Sequence, residues 1–242
     1  NISIINSEFH NNSAYSGGAV YVEDSSVFTV RNSTFEDNDA RNNVGGAIAL
    51  AGEANIYNST FNRNTARFRG GAIHSSDLTS KVTRVYNSSF DRNGITGWGG
   101  NYYGGAIFYA DLIENCNFTN NYGYSGGAIY QWHNHNYRLT IRNATFINNT
   151  AVGTGGAVYA HYGGNMYDCI FYNNVAGNDG GAIGGWNQIP YQCLFVNNSA
   201  KVGGAVGGET ARSYNSLYIN NSASELGGAI YGFNLNIQNN LI

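Results

Sequence analysis

Apolar and polar positions along this chain keep neither the period of an amphipathic helix nor one continuous alternation; they recur as a block. Each block holds an aromatic residue, an Asn three positions on, and a Gly-Gly-Ala followed by Ile or Val eight to fourteen residues after the aromatic. The block is written nine times. Its aromatics are Phe9, Phe35, Phe61, Phe90, Phe118, Phe146, Phe171, Phe195 and Tyr218, and its glycine pairs open at Gly17, Gly45, Gly70, Gly104, Gly126, Gly155, Gly180, Gly203 and Gly227. Self-similarity at roughly 22 to 34 residues predicts a solenoid, whose repeats bury their core only against their neighbours.

Reading the blocks as columns predicts which way each position faces. Two residues before the aromatic the side chain is always small (Ser7, Ser33, Ser59, Ser88, Cys116, Ala144, Cys169, Cys193, Ser216), so ring and small residue share the inward face of one strand. Five residues before it the column is apolar in the first seven turns, from Ile4 to Met166, but of the wrong parity for that strand. A corner is therefore expected between them, at Asn6, Asn32, Asn58, Asn87, Asn115, Asn143 and Asn215. The Asn three residues after the ring is expected at a second corner, with amides hydrogen-bonded up the stack, and the glycine pair at a third. Beyond it Val20, Ile48, Ile73, Ile107, Ile129, Val158, Ile183, Val206 and Ile230 point inward.

Composition selects the kind of solenoid. Charged residues are 11% of the chain and Asn fills 38 positions, so the surface helix formers of a helical repeat are missing. The expected fold is all-β: a right-handed parallel β-helix of about nine turns, a rod of roughly 40 Å at the ordinary strand spacing, spanning 1–242 as a single domain. A net charge of −3 with 12 scattered Lys and Arg argues against nucleic acid or anionic lipid as partner. No apolar stretch reaches a membrane span, so no direct membrane insertion by this segment is expected. Asn1 does not open a signal peptide, and the chain reads as a mature form or a piece of a longer protein. The three cysteines share the small inward column and read as buried thiols standing in for Ser or Ala, a vertical Cys169–Cys193 disulfide being the alternative.

The paired Phe-x-x-Asn and Gly-Gly-Ala-Ile/Val columns, along the whole chain, resemble the repeats of chlamydial polymorphic membrane proteins and of adhesin-like surface proteins of methanogenic archaea. The resemblance implies a right-handed β-helix displayed on a cell surface for attachment, with no catalytic residues to carry over. The expectation is a non-enzymatic extracellular or cell-surface protein, with a self-assembling filament or sheath subunit and a carbohydrate-active lyase or hydrolase as alternatives. No cofactor or metal is expected. Partners would be other protein chains, through self-association or flanking domains, and surface glycans.

Candidate chemistry is sparse. Glu36, Asp37 and Asp39 lie a turn before Arg63 and Arg67, and read as a solvated ion-pair patch rather than convergent catalytic carboxylates. Six residues into the glycine motif, Trp132, His161 and Trp186 fall in adjacent turns on an outward parity, and the segment 95–103 adds Trp98, Tyr102 and Tyr103. Exposed rings of this kind suit a sugar or a partner protein. Beside the core aromatic, outward positions turn apolar in the last three turns: Ile170 and Tyr172, Leu194 and Val196, Leu217 and Ile219. These six are the candidate lateral interface. Sequons at Asn11, Asn148, Asn197 and Asn220 are expected to be accessible for glycosylation, and those at Asn32, Asn58, Asn87 and Asn143 to be taken up in an amide ladder. Both ends carry repeat columns without a polar cap, which predicts more coil or a head-to-tail neighbour.

Overall fold

A computed structural model describes residues 1–23, 27–76, 82–97, 102–132 and 139–242. The chain winds as a parallel β-solenoid: every strand pairs with its equivalents one turn before and after, and all these pairings are parallel. Four sheets run along it. The first has ten strands, from Ile2–Ile5 to Asn234–Gln238; the second has nine, from Glu8–His10 to Leu217–Ile219; the third has nine short ones, from Ser13–Ala14 to Ser222–Leu226. The fourth has seven, from Val20–Val22 to Ile183–Gly184, and continues as single bridges through Val206 and Ile230. The count is thus nine turns with a tenth strand begun.

The columns are in register. Phe9 pairs with Phe35 and so on to Tyr218, and successive rings stack inside the solenoid at centroid separations of 4.7 to 5.0 Å. One hydrophobic cluster, continuous from Val22 to Tyr218, contains the ring, Ile/Val and position −5 columns. In the last turn the ring is a tyrosine and position −5 a serine, and the two hydroxyls meet at 2.7 Å. The polar pair thereby satisfies itself inside an apolar core.

The small column does more than save space. Ser33 Oγ donates to Arg31 O at 2.8 Å and accepts the Ser7 amide at 3.2 Å, and the pattern repeats at Ser59 and Ser88. Cys116, Cys169 and Cys193 make the same donation to the carbonyl two residues back, at 3.2 to 3.5 Å. All three are free and buried, and burial pushes the Cys116 thiol up to about 11. They serve as serine substitutes at a corner.

The first corner lies where expected, with left-handed backbone at Asn6, Asn32, Asn58, Asn87, Asn115, Asn143 and Asn215. Their amides also bond along the surface, as Asn32 to Asn6 at 3.1 Å and Asn143 to Asn115 at 2.7 Å. The second corner differs from expectation by one residue. Its left-handed position is the one before the ladder Asn, and it takes Asp37, Arg63 and Arg92 as well as Asn. The bend there turns the next side chain inward, so Asn38, Asn64, Asn93, Asn121, Asn149, Asn174 and Asn198 are buried. At the third corner Gly46 admits no side chain: a Cβ would sit 1.9 Å from Gly71 O and 2.4 Å from Thr65 O.

Candidate functional site

On the outer face of the fourth sheet, the residue after the inward Ile or Val is His74, Phe108, Tyr130 and Tyr159 in four successive turns. In-register pairing forces these rings together, with centroids 5.1, 5.5 and 5.0 Å apart. Tyr103 packs on Tyr130 at 4.1 Å, and the Arg69 guanidinium lies 5.0 Å over Phe108. Phe108, Tyr109 and Tyr130 form a buried satellite cluster, Tyr130 being only 2% exposed. This column escaped the sequence reading, although its parity is that of the Trp132 column two residues on; parity alone was the available signal.

The second outward column is the predicted one. Trp132 stacks on His161 at 4.0 Å, and His161 meets Trp186 at 4.7 Å. The two tryptophans remain 46% and 38% exposed, so the stack faces solvent. Tyr109, at φ 68, donates its hydroxyl to Trp132 O, and Tyr159 OH bonds His161 Nδ1 at 2.9 Å. These bonds tie the exposed stack to the buried ladder. Burial lowers the His161 pKa against the opposing pull of Glu209, and burial raises Tyr159 to about 12. Both therefore stay neutral at neutral pH.

The remaining candidates separate. Tyr103 joins the buried ladder, whereas Tyr102 stacks on Phe68 at 5.4 Å beside Ala40, Ala66 and Ile95, away from the tryptophans. Trp98 lies outside the described residues. The two Trp and His161 are thus brought together, and Tyr102 is not. The lateral residues pair as Ile170, Leu194 and Leu217 on one line and Tyr172, Val196 and Ile219 on the other. Ile170, Tyr172 and Ile219 are 41, 39 and 39% exposed, and the other three are half-buried. Asn11, Asn148, Asn197 and Asn220 are exposed, at left-handed turns. The acidic patch is internally neutralised: Arg63 reaches Glu36 and Asp37 at 2.8 Å each, and His10 meets Glu36 at 3.2 Å. The Arg63 hydrogen bonds hold the Asp37 carboxyl below its ordinary value. Among the described residues no group of three His, Cys, Asp or Glu side chains is placed to hold a metal ion.

Four stretches of the chain, 6–23, 58–76, 143–161 and 168–185, match the family of the Chlamydia polymorphic membrane protein (Chlamydia_PMP) repeat. Each begins at the left-handed first corner and ends on the fourth sheet, so one repeat of that family is similar to three of the four sides of a turn. Neither the curated proteins nor the solved structures provide a match.

Proposed function

We propose that this chain is a non-enzymatic, adhesin-like rod of the cell surface, as its resemblance to chlamydial and methanogen surface proteins implies, and that the fourth sheet is its binding face. The observation that carries this reading is the Trp132–His161–Trp186 stack, exposed although an equivalent ladder beside it is buried. Flat rings held rigidly on a sheet offer large contact area at little cost in side-chain entropy, as attachment to glycans or to another protein requires. Similarity to the chlamydial repeat supports a surface location. Beads coated with the purified chain should adhere to cells or glycan-coated surfaces, and the Trp132→Ala/Trp186→Ala variant should lose most of that adhesion. Attachment no better than with albumin-coated beads, together with antibody labelling of source cells only after permeabilisation, would overturn the reading.

A second reading, lateral self-association, is favoured by the exposure of Ile170, Tyr172 and Ile219, two turns apart on one sheet face with the half-buried Leu194 and Val196 between them. Apolar side chains in one plane are seldom left bare on a soluble monomer. A second copy of the rod is the occupant we assign to that face. Glycans on Asn11, Asn148, Asn197 and Asn220 would decorate the second corner, where the side chains point to solvent.

A further inference from the structure

The ring ladder of the fourth sheet is interrupted. After Tyr159 the same column reads Gly184 and Gly207 before the ring returns at Tyr231, so two successive turns omit their side chain. Three strand spacings, roughly 14 Å, separate the two tyrosine positions. Neighbours lean into the vacated space: a Cβ on Gly184 would meet the Thr154 methyl at 2.4 Å, and one on Gly207 would meet Asp179 Oδ1 at 1.7 Å. A carboxylate therefore lies where a ring would otherwise stack.

The result is a cleft of about 190 Å³, walled by Tyr159, Trp186, Tyr231 and Phe233 and carrying Asp179 and Glu209. Asp179 Oδ1 is buried and has no hydrogen-bond partner among the described residues. Among the described residues no Lys or Arg lines the cleft, and Lys201 on the adjoining surface pairs with Glu225 at 3.2 Å. The neighbouring Gly180 amide gives its hydrogen bond to Val202 O at 3.0 Å, and an acceptor so placed, among rings whose faces carry negative potential, is complementary to a desolvated cation that can donate a hydrogen bond. A neutral hydroxyl would supply the bond and leave the charge uncompensated. Burial pushes the Asp179 carboxyl up to about 6 against the opposing pull of the Gly180 amide, so at pH 7.5 it is ionised and available to a cation.

We propose that the cleft takes a primary alkylammonium group, the tip of a lysine side chain on a partner protein, bonded to Asp179 Oδ1 and enclosed by Tyr159, Trp186 and Tyr231. This deepens the attachment reading by naming what one part of the binding face accepts, and it rests on that reading only for its setting. Binding to the purified chain can fail while adhesion stands, and the reverse.

The test is NMR titration of the tryptophan side-chain N–H resonances at pH 7.5 with Nα-acetyl-lysine amide, against methyl glucoside as neutral probe. The expected result is a saturable millimolar shift of the Trp186 resonance by the lysine probe. Asp179→Asn, which keeps the shape, should weaken binding roughly tenfold, and Glu209→Gln on the rim about twofold. Unchanged thermal melting or a rise, read alongside, shows that the variants fold. An unshifted Trp186 at 50 mM probe, equal affinity for Asp179→Asn, or methyl glucoside binding as well as the lysine probe would each overturn the assignment.

Discussion

At the scale of single residues, stability concentrates in the buried asparagines. The Asn93 amide is saturated: Oδ1 accepts from Asn64 N and Asn64 Nδ2 at 3.0 Å each, and Nδ2 donates to Phe61 O at 2.9 Å and Asn121 Oδ1 at 3.1 Å. Asn93→Ala leaves four buried groups each short of a partner, so it should cost about 3–5 kcal/mol. Asn93→Asp should be worse, because an ionised carboxylate would face the Phe61 and Asn121 oxygens. Replacing the exposed corner residue Asn115 by Ala should cost only about 1 kcal/mol, chiefly through its left-handed backbone, because its amide bonds to Asn87 and Asn143 lie in solvent. Guanidinium unfolding midpoints compare the three, and equal midpoints for Asn93→Ala and Asn115→Ala would discredit the ladder as a stabilising element. Asp179 shows the opposite economy. Its carboxyl titrates at about 6 when folded against 3.8 otherwise, so the folded state is favoured below 3.8 and loses that advantage as pH rises through 6. Asp179→Asn should therefore raise Tm by about 2–4 °C at pH 7.5 and leave it unchanged at pH 3.5, as scanning calorimetry can measure. Sites that bind a ligand recurrently give up stability in this way.

At the scale of strands and corners, the glycine pair sets how closely turns approach. A Cβ on Gly127 would lie 2.1 Å from Gly156 O and 2.6 Å from Thr150 O, and backbone at that range cannot yield locally. Gly127→Ala should thus cost more than about 4 kcal/mol or prevent folding, judged by circular dichroism of the soluble fraction. On the lateral face, replacing Leu194, Val196 and Leu217 by Thr should lower the sedimenting mass without changing the far-ultraviolet spectrum, whereas an unchanged mass would remove the second copy assigned there. Most of this architecture was legible beforehand, because ring, small, Ile/Val and glycine columns each encode a side-chain direction that stacking repeats nine times. What was misread has a physical cause. The recurring Asn after the ring reads as a turn residue, but its repetition reflects amide bonding in the core. The bend itself falls on a position tolerant enough to hold Arg63. The buried ring ladder was missed because its occupants vary from His to Phe to Tyr to Gly, and only the parity they share with Trp132 marks them. The cleft beneath Trp186 is a further step removed: it is made by side chains that are absent at Gly184 and Gly207.

At the scale of the whole molecule, contacts join each turn to its immediate neighbours, so stability is close to a sum over turns. Deleting residues 35–60 joins Thr34 to Phe61 and keeps every column in step, since these two positions already follow one another in the repeat. That shortened chain should fold, with a melting temperature within about 5 °C of the parent. Deleting 13 residues from the same region should abolish folding, because a half-turn sets inward columns against outward ones. The same stacking determines the response to a pull. Strands run across the solenoid, so the hydrogen bonds between turns point along its axis, and a load applied at the two ends of the chain opens them a few at a time. The solenoid should peel as a zipper and not shear as a block. Each 26-residue turn that peels away, the separation of Asn38 and Asn64, would release roughly 90 Å of slack at low force. Held between two surfaces in flow, such a rod would lengthen severalfold before letting go and rewind when the tension falls.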